Sequence, residues 1–349
     1  MSRTGFGSGE VRRAGELLRS ETSSEEQLRG AADVLRRWRE IHLYPLNTFQ
    51  ATLRSRMRSV DAHVAVGQRL KRETSVVAKL RDRPTMRLQQ MQDIAGLRAI
   101  VPNMGKLRRL AGLYSEGWRL AHEQVALDDY IAEPKSDGYR SLHLVYKYRC
   151  PMPLYNGLHV ELQIRTKLQH AWATAVETVD VFTGQQIKSG RAAAPEWVRF
   201  FSAASAAFAR LEGCASVPGY EGLSPRAIEP ALRGSEAAVN ALTLLRGFRV
   251  ATDAIMRREE NRSNNSLHLV VLNIESRTLS FRSFSRPQQT EANEAYTEAE
   301  ARKRSGEPLD PVLVTGGTLR QLKTSYPNYF ADTQEFVEKV ESVLGGLPN

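Results

Sequence analysis

Two segments in the middle of the chain carry polar residues at spacings that suit a ligand cleft. In residues 129–143, a turn rich in proline, aspartate and glycine separates strand-forming residues and presents Tyr139 at its tip. Residues 159–166 alternate strictly between aliphatic and polar side chains, as in a strand with one face in a core. The polar face comprises His159, Glu161, Gln163 and Arg165. Such a mixed-charge face suits the wall of a binding cleft, although a solvated face of an antiparallel sheet gives the same pattern.

Four motifs in chain order resemble the pyrophosphokinase (synthetase) domain of the RelA/SpoT family, in particular its small single-domain members. They are Arg69-Leu70-Lys71 with Ser75 and Lys79, Asp93-Ile94-Ala95-Gly96-Leu97-Arg98, Gly138-Tyr139-Arg140-Ser141-Leu142-His143, and Glu161-Leu162-Gln163-Ile164-Arg165-Thr166. Four ordered motifs are far more specific than any one of them. The resemblance implies an α+β fold with a nucleotidyltransferase-like mixed sheet flanked by helices, and an enzyme that transfers pyrophosphate from ATP and releases AMP.

The resemblance implies that Asp93 and Glu161 are the catalytic carboxylates and the candidate ligands of Mg²⁺. Asp93 lies at the start of a predicted buried strand, where a carboxylate can bind Mg²⁺ with water completing the octahedral shell. Glu161 is expected to act either as the general base or as a second metal contact, and the sequence leaves both open. The structural alternatives are a turn aspartate and a glutamate that only pairs with Arg98 or Arg165.

The resemblance also assigns residues to the two substrates. The ATP-binding candidates are Arg69, Lys71, Ser75, Lys79 and Arg165. Arg69 matches the family's adenine-stacking arginine, a role that suits a planar cation. A second adenine-facing cation is expected near Lys106, Arg108 and Arg109, while Ser75 could instead bond within its own helix.

The acceptor-binding candidates are Tyr139, His143 and Gln163. Tyr139 matches the aromatic on which the family stacks the acceptor base, an interaction worth roughly 1 to 3 kcal/mol. A turn tyrosine that packs on its own strand is the simpler alternative. His143 either supports the site or packs in the core.

The chain has 349 residues and a formal net charge of +10, with many arginines in its first ninety residues. Such a field attracts polyphosphates or an RNA backbone, and solvated helix faces are the alternative. The candidate tRNA contacts are Arg54, Arg56 and Arg58. Cys150 and Cys214 are too few for a disulfide framework. No apolar run approaches the roughly 20 residues of a spanning helix, so we expect a cytoplasmic protein that makes no membrane contact.

Hydrophobic periodicity predicts the elements that must position these residues. Residues 24–66 predict two helices with a break at Tyr44-Pro45, and 69–80 predict a helix with Lys71, Ser75 and Lys79 on one face. A buried strand is expected at 97–101, a helix from the Thr166/Gln169 capping box, a helix at 235–248, and a hairpin at 267–284. The predicted domains are N-terminal helices (1–52), a pyrophosphokinase domain (53–212), a linker (213–234) and a regulatory domain (235–349).

The tail resembles that of toxic small alarmone synthetases fused to their own antitoxin, the CapRel-type proteins of phage defence. The supporting patterns are Trp38-Arg39, Pro45-Leu46 with Phe49, Ala292-Asn293-Glu294-Ala295-Tyr296 and Tyr326-Pro327-Asn328-Tyr329-Phe330. The resemblance implies a small α/β tail domain, a pseudo-zinc-finger-like hairpin plus helices, which covers the active site through Tyr326 and Tyr329 until a phage protein releases it. It also implies pyrophosphate transfer to the 3′-hydroxyl of the terminal adenosine of tRNA.

Two other functions remain open from the sequence. One is synthesis of the alarmones ppGpp or pppGpp from ATP and GDP or GTP, and the other is a catalytically inactive module that binds nucleotide or RNA. The sequence contains no His-Asp dipeptide, the signature of the hydrolase domain of long family members, so we expect no alarmone hydrolase activity. Pyrophosphate transfer to tRNA and alarmone synthesis would use the same catalytic residues, so these residues do not distinguish the two functions.

Overall fold

The fold of the chain is given by a computed structural model. Contacts divide the chain into two compact units. The first consists of Met1–Ala99, Gly105–Asp128 and His143–Ile164, and the second of Ile100–Met104, Asp129–Leu142 and Arg165–Asn349. The structure describes residues 7–61, 65–115, 121–183, 195–246, 267–273, 275–276, 278–315 and 333–345.

Amphipathic helices build the amino-terminal part of the first unit. They are α1 (Ser8–Arg19), α2 (Glu25–Ile41), α3 (Leu43–Val60) and α4 (Glu73–Asp82). Ser24 starts α2 with a capping box to Gln27, and the predicted break before Pro45 falls at His42, between α2 and α3. One apolar cluster joins α1, α2 and α4, with Val11, Leu35 and Val76 among its buried members.

A five-stranded sheet has the order β1-β2-β5-β4-β3. Its strands are β1 (Ala65–Leu70), β2 (Ala95–Val101), β3 (Glu123–Asp129), β4 (Leu142–Lys147) and β5 (His159–Thr166), and α5 (Met104–Ser115) follows β2. Val160, Leu162 and Ile164 of β5 are fully buried, as the alternation predicts. The α+β fold class is confirmed, and the central position of β5 holds Glu161 between β2 and β4.

Helices surround a second apolar core in the second unit. They are α6 (Lys167–Thr183), α7 (Pro195–Leu211), α8 (Pro225–Val239) and the helix Gln334–Leu344. Phe336 packs against Phe200, Phe201 and Phe208 of α7, with ring centroids 5.6–6.0 Å apart. The predicted capping box at the start of α6 is present, because Thr166 and Gln169 exchange backbone-to-side-chain hydrogen bonds.

A separate three-stranded antiparallel sheet occupies the tail. It comprises β6 (Leu267–Asn273), β7 (Thr278–Phe284) and β8 (Leu309–Thr315) in the order β7-β6-β8. The helix Gln289–Arg304 contributes Ala292 to a core with Leu267, Leu269 and Phe284. The predicted hairpin at 267–284 is thereby confirmed.

Two predicted helices were wrong in their bounds. Strand β1 runs to Leu70 and α4 begins only at Glu73, so Lys71 precedes the helix and does not share a helix face with Ser75 and Lys79. The helix predicted at 235–248 is interrupted, because Asn240 adopts a left-handed conformation (φ 51°) that ends α8. Helix α8 also begins inside the predicted linker. Among the described residues, no helix has both the length and the apolar composition needed to cross a bilayer.

Candidate active site

Two lysines of the first unit converge on one carboxylate. The ammonium of Lys71 lies 3.0 Å from Oδ2 of Asp93, and that of Lys79 lies 2.8 Å from the same oxygen. Lys71 directly follows β1, Lys79 lies on the last turn of α4, and Asp93 lies just before β2. The side chains retain only 21–26% of their exposure, so the three charges form a partly buried cluster.

The second oxygen of Asp93 lacks a hydrogen-bond partner within the described part of the chain. Oδ1 is buried, whereas Oδ2 accepts both ammonium groups. Burial raises the pKa of Asp93, but the charges of Lys71 and Lys79 outweigh burial and hold this pKa below its ordinary value. Asp93 therefore stays ionised at neutral pH and offers one oxygen to a further cation.

Glu161 lies on β5 with a hydrogen bond to each carboxylate oxygen. Nδ1 of His143, on the neighbouring strand β4, lies 2.9 Å from Oε1, and Nε2 of Gln163 donates to Oε2 at 2.8 Å. Burial and the charge of Asp93 raise the pKa of Glu161, but the hydrogen bonds from His143 and Gln163 outweigh them and lower it. Each oxygen retains a lone pair, so this ionised carboxylate can accept one more proton or hydrogen bond.

The negative charges of Asp93 and Glu161 repel each other, as the effect of Asp93 on the pKa of Glu161 shows. A divalent cation bound between two such carboxylates would reduce this repulsion. The orphaned oxygen of Asp93 fits a Mg²⁺ ligand. Within the described ranges, no group of three or more His, Cys, Asp or Glu side chains converges. A Mg²⁺ ion held here would take most of its ligands from phosphate and water, as is usual for this ion.

Arg39 of α2 fixes the backbone of Lys71 by a hydrogen bond. Its Nε donates to the carbonyl oxygen of Lys71 at 2.8 Å, and its Nη1 lies 2.9 Å from Oε1 of Glu73. Both side chains of this ion pair are less than 10% exposed. The sequence did not predict this buried ion pair between Arg39 and Glu73, because a charged residue at helical spacing gives the same sequence pattern whether its side chain is solvated or buried.

The loop between β3 and β4 holds Tyr139 in the second unit. Tyr139 is half-buried, its backbone N–H donates to Oδ1 of Asp137, and its ring meets Trp172 edge-on at 6.4 Å between centroids. Lys135 lies 4.3 Å from the ring centroid of Tyr130 and 5.3 Å from that of Tyr139. The ring therefore belongs to a packed aromatic group and does not project freely from the loop tip as the sequence suggested.

The structure changes the interpretation of Arg165. We expected a contact with the ATP triphosphate, but Arg165 is 3% exposed, with Nη2 donating to the hydroxyl of Tyr139 and Nε donating to Ser141 at 3.2 Å. A guanidinium enclosed in this way is not accessible to a phosphate. Its position beside Tyr139 makes it a support for that ring.

The remaining predicted residues fall into exposed and buried groups. Arg54 and Arg58 are exposed on α3, but Arg56 is 6% exposed and stacks over Tyr114 at 4.3 Å, so its predicted RNA contact is withdrawn. Arg69 and Ser75 are half-buried. Lys106 pairs with Asp61, and Arg108 and Arg109 are exposed on α5. Tyr326 and Tyr329 lie outside the described residues.

Comparison with known proteins locates the family within the chain. Residues 68–180 match the model described as a region found in RelA / SpoT proteins, and this range contains Lys71, Asp93, Tyr139 and Glu161. This segment is a RelA/SpoT-family domain.

Two curated relatives illustrate the similarity of this RelA/SpoT-family domain to known proteins. The chain is 37% identical over 111 residues to GTP pyrophosphokinase YjbM of Bacillus subtilis, covering 30% of this chain and 51% of that protein. It is 34% identical over 114 residues to the probable chloroplastic GTP diphosphokinase RSH2 of Arabidopsis thaliana, covering 33% and 15% respectively. The chain thus spans about half the length, or less, of these relatives.

Among solved structures, the chain is similar to small alarmone synthetase 1 from Bacillus subtilis bound to its product pppGpp. The match has 27% sequence identity and a TM-score of 0.42, and it covers 51% of this chain and 94% of that one. A GTP pyrophosphokinase family protein from Streptococcus pneumoniae matches with 22% identity and a TM-score of 0.42, covering 51% and 88%.

The charge cluster at Asp93 predicts a pH-dependent stability. A carboxyl group with a lowered pKa stabilises the fold above its unfolded pKa, and this contribution disappears as pH falls through the folded pKa. We expect Asp93→Asn to cost about 2 kcal/mol at pH 7 and progressively less below about pH 4. Urea unfolding of both proteins at pH 7 and pH 3.5 tests this, and a difference that grows toward low pH would contradict it.

Proposed function

We propose that this protein is an ATP-dependent pyrophosphokinase that transfers the β- and γ-phosphates of ATP together to a hydroxyl of a nucleotide acceptor. The observation that carries the proposal is the convergence of Lys71 and Lys79 on Asp93, whose other oxygen lacks a partner among the described residues. Triphosphate binding needs cations and a metal-binding carboxylate held together, and this cluster provides both.

The lysines and Asp93 exchange partners when substrate binds. In the structure, the ammonium groups of Lys71 and Lys79 pair with Oδ2 of Asp93 and neutralise its charge. A bound triphosphate would attract both ammonium groups, and both oxygens of Asp93 would then be available to hold Mg²⁺, which would supply positive charge to the phosphates. Burial lowers the pKa of Lys71, and the charge and hydrogen bond of Asp93 offset this effect only in part. The same two lysines neutralise Asp93 and are placed to bind the phosphates of the nucleotide.

Glu161 supplies the proton acceptor for the reaction. The acceptor hydroxyl oxygen forms a bond to the β-phosphorus, the bond from that phosphorus to the oxygen bridging to the α-phosphorus breaks, AMP leaves, and the hydroxyl proton passes to Glu161. His143 and Gln163 orient the carboxylate through their hydrogen bonds. The base of the acceptor stacks on Tyr139.

The acceptor we propose is the 3′ end of tRNA, with inhibition of translation in phage defence as the outcome. The net charge of +10 and the exposed guanidinium groups of Arg54 and Arg58 support an RNA partner. The resemblance of the tail to fused antitoxins supports self-inhibition by that part of the chain.

GDP or GTP is the second candidate acceptor. The names of the curated relatives favour it, since YjbM is a GTP pyrophosphokinase and RSH2 a probable GTP diphosphokinase. The product would then be an alarmone and the protein a synthetase of ppGpp or pppGpp.

One experiment separates these functions. The purified protein is incubated with Mg²⁺ and ATP labelled on either the α- or the γ-phosphate, together with tRNA, GDP or GTP. A pyrophosphokinase moves the γ-label to the acceptor and leaves α-labelled AMP, whereas a simple kinase leaves ADP. Label on tRNA supports the first candidate and label on GDP or GTP the second. Absence of transfer to every acceptor would leave only the inactive binding module.

Charge reversal on α3 tests the tRNA acceptor. We expect Arg54→Glu with Arg58→Glu to weaken tRNA use most strongly at low salt, and to reduce the slope of log affinity against log salt by about two, because two phosphate contacts are lost. ATP affinity should stay unchanged. The matched control is Arg226→Glu with Arg233→Glu on α8, which changes net charge equally. Equal effects of both pairs would show that only net charge matters.

Self-inhibition by the tail predicts a gain of activity. If the closed state holds activity to about one per cent, it is favoured over the open state by roughly 2.7 kcal/mol. Loss of one aromatic side chain that anchors the closed state can remove most of this free energy. We expect Tyr329→Ala to raise basal pyrophosphate transfer up to about 100-fold and to slow bacterial growth without infection, while Tyr329→Phe stays inhibited. Unchanged growth and activity in soluble Tyr326→Ala and Tyr329→Ala proteins would refute this role.

A further inference from the structure

The loop that carries Tyr139 is fixed by residues that follow the family-matched segment. Ser205 on α7 donates through Oγ to the carbonyl oxygen of Gly138 at 2.5 Å, and it accepts from Nε of Arg140 at 3.1 Å. Ser205 is 1% exposed and Arg140 is 2% exposed. One buried hydroxyl therefore binds the backbone before Tyr139 and the side chain after it.

Glu212, just after α7, completes this network. Its Oε2 accepts from Nη1 of Arg140 at 2.8 Å and from Nε2 of Gln169 at 3.2 Å, and its Oε1 accepts from the hydroxyl of Thr166. One carboxylate thus joins the Tyr139 loop to the end of β5 and the start of α6. The Arg140 side chain is 1% exposed and that of Glu212 is 10% exposed, so the ion pair is largely shielded from water.

The ring of Tyr139 is held at its other end by the same part of the chain. Arg165, the residue before Thr166, donates to the hydroxyl of Tyr139 and to Ser141. Trp172 of α6 meets the Tyr139 ring and donates through Nε1 to the carbonyl oxygen of Phe201 on α7 at 2.7 Å. Backbone and ring are therefore both fixed relative to α7.

We propose that Arg140, Ser205 and Glu212 are positioning residues that hold the Tyr139 loop in the shape that receives the acceptor base. This inference rests on the proposed function, in which Tyr139 stacks that base. Ser205 and Glu212 lie beyond residue 180, where the family match ends. The acceptor site then depends on chain outside the matched segment, whereas Lys71, Lys79 and Asp93 lie inside it.

The expected consequence is a selective effect on the acceptor. Glu212→Gln leaves the guanidinium of Arg140 buried without a counter-charge, so the loop loses its fixed shape and the KM for the acceptor should rise about tenfold. Ser205→Ala removes two hydrogen bonds and should raise it by a similar factor. The KM for ATP should change less than about twofold in both variants. Arg140→Gln with Glu212→Gln restores an uncharged hydrogen-bonded pair and should recover most of the acceptor affinity.

Two measurements test this in the full-length protein. Steady-state transfer gives the KM for ATP, for GDP and for tRNA, and hydrogen–deuterium exchange follows the backbone of residues 134–141. We expect faster exchange of this loop in Ser205→Ala and Glu212→Gln, and wild-type exchange in the double variant. The matched control is Glu229→Gln, which breaks an exposed ion pair with Arg233 on α8 and should change neither quantity.

The outcomes separate this inference from the proposed function. If the KM values for ATP and acceptor rise together, or if loop exchange stays at the wild-type level, Arg140, Ser205 and Glu212 are ordinary fold residues and the inference is overturned. If the wild-type protein transfers no pyrophosphate, the proposed function fails. The inference is then decided by equilibrium binding of GDP and of a short RNA ending in CCA. Weaker binding by Glu212→Gln with faster loop exchange supports it, and unchanged binding overturns it.

Discussion

Glu161→Gln and Asp93→Asn are each expected to reduce pyrophosphate transfer by about a thousandfold or more. Glutamine keeps the shape of Glu161 and can still accept from His143, but it cannot take the hydroxyl proton; loss of a general base costs roughly 10²–10⁴ in rate. Asparagine at position 93 keeps an oxygen near Lys71 and Lys79 but lacks the negative charge that would hold Mg²⁺ in the proposed function. Quenched-flow or steady-state transfer with labelled ATP measures both losses.

A surface variant on the same sheet provides the control. Glu123→Gln on β3 removes an equal charge from an exposed pair with Arg149 and should keep wild-type activity. Circular dichroism and a single cooperative urea transition must show that each variant is folded. Near-normal transfer by a folded Glu161→Gln or Asp93→Asn protein would remove the assigned roles, even if the family fold stands.

Local patterns predicted the elements that carry the site. The period-two alternation of residues 159–166 specifies which face of β5 is buried, because successive side chains of a strand point to opposite sides. The capping box at Thr166 and Gln169 specifies the start of α6 for a similarly local reason. Such features depend on neighbouring residues in the chain, so the sequence alone contains them.

Long-range contacts could not be predicted in the same way. Arg140 and Glu212 are 72 positions apart, and Arg39 and Glu73 are 34 positions apart. A sequence shows the charge of Arg56 or Arg165 but not its burial, which depends on how distant elements pack. Both arginines were therefore assigned to surface contacts with phosphate, whereas each lies against a tyrosine ring in the structure.

The helix predicted at 69–80 failed for a related reason. Its residues have adequate helical spacing, but the backbone N–H of Lys71 donates to the carbonyl oxygen of Ile94, just before β2, at 2.8 Å. Pairing between β1 and β2 thus extends β1 past Arg69, and α4 begins only at Glu73. This pairing between distant segments places Lys71 beside Asp93. A helix over residues 69–80 would not by itself have brought the two residues together.

Gly138→Ala is expected to be the most damaging small change in the Tyr139 loop. Gly138 has φ +92°, and a Cβ there would lie 2.8 Å from Cβ of Ser205 and 3.1 Å from both Cα of Ser202 and the ring of Trp172. The backbone strain costs about 1 kcal/mol and the overpacking about 1–3 kcal/mol more. We expect the free energy of unfolding to fall by about 2–4 kcal/mol and the KM for the acceptor to rise well over tenfold.

Gly219→Ala separates the two causes. Gly219 has nearly the same φ, +88°, but no atom lies within 4 Å of the position of its Cβ. It therefore carries the backbone strain without the clash, and we expect a loss of about 1 kcal/mol with unchanged acceptor KM. Urea unfolding and steady-state transfer, measured on both variants, give the comparison. If Gly138→Ala and Gly219→Ala behave alike, backbone strain accounts for the whole effect. The close packing of the Tyr139 loop on α7 would then have no part in acceptor binding.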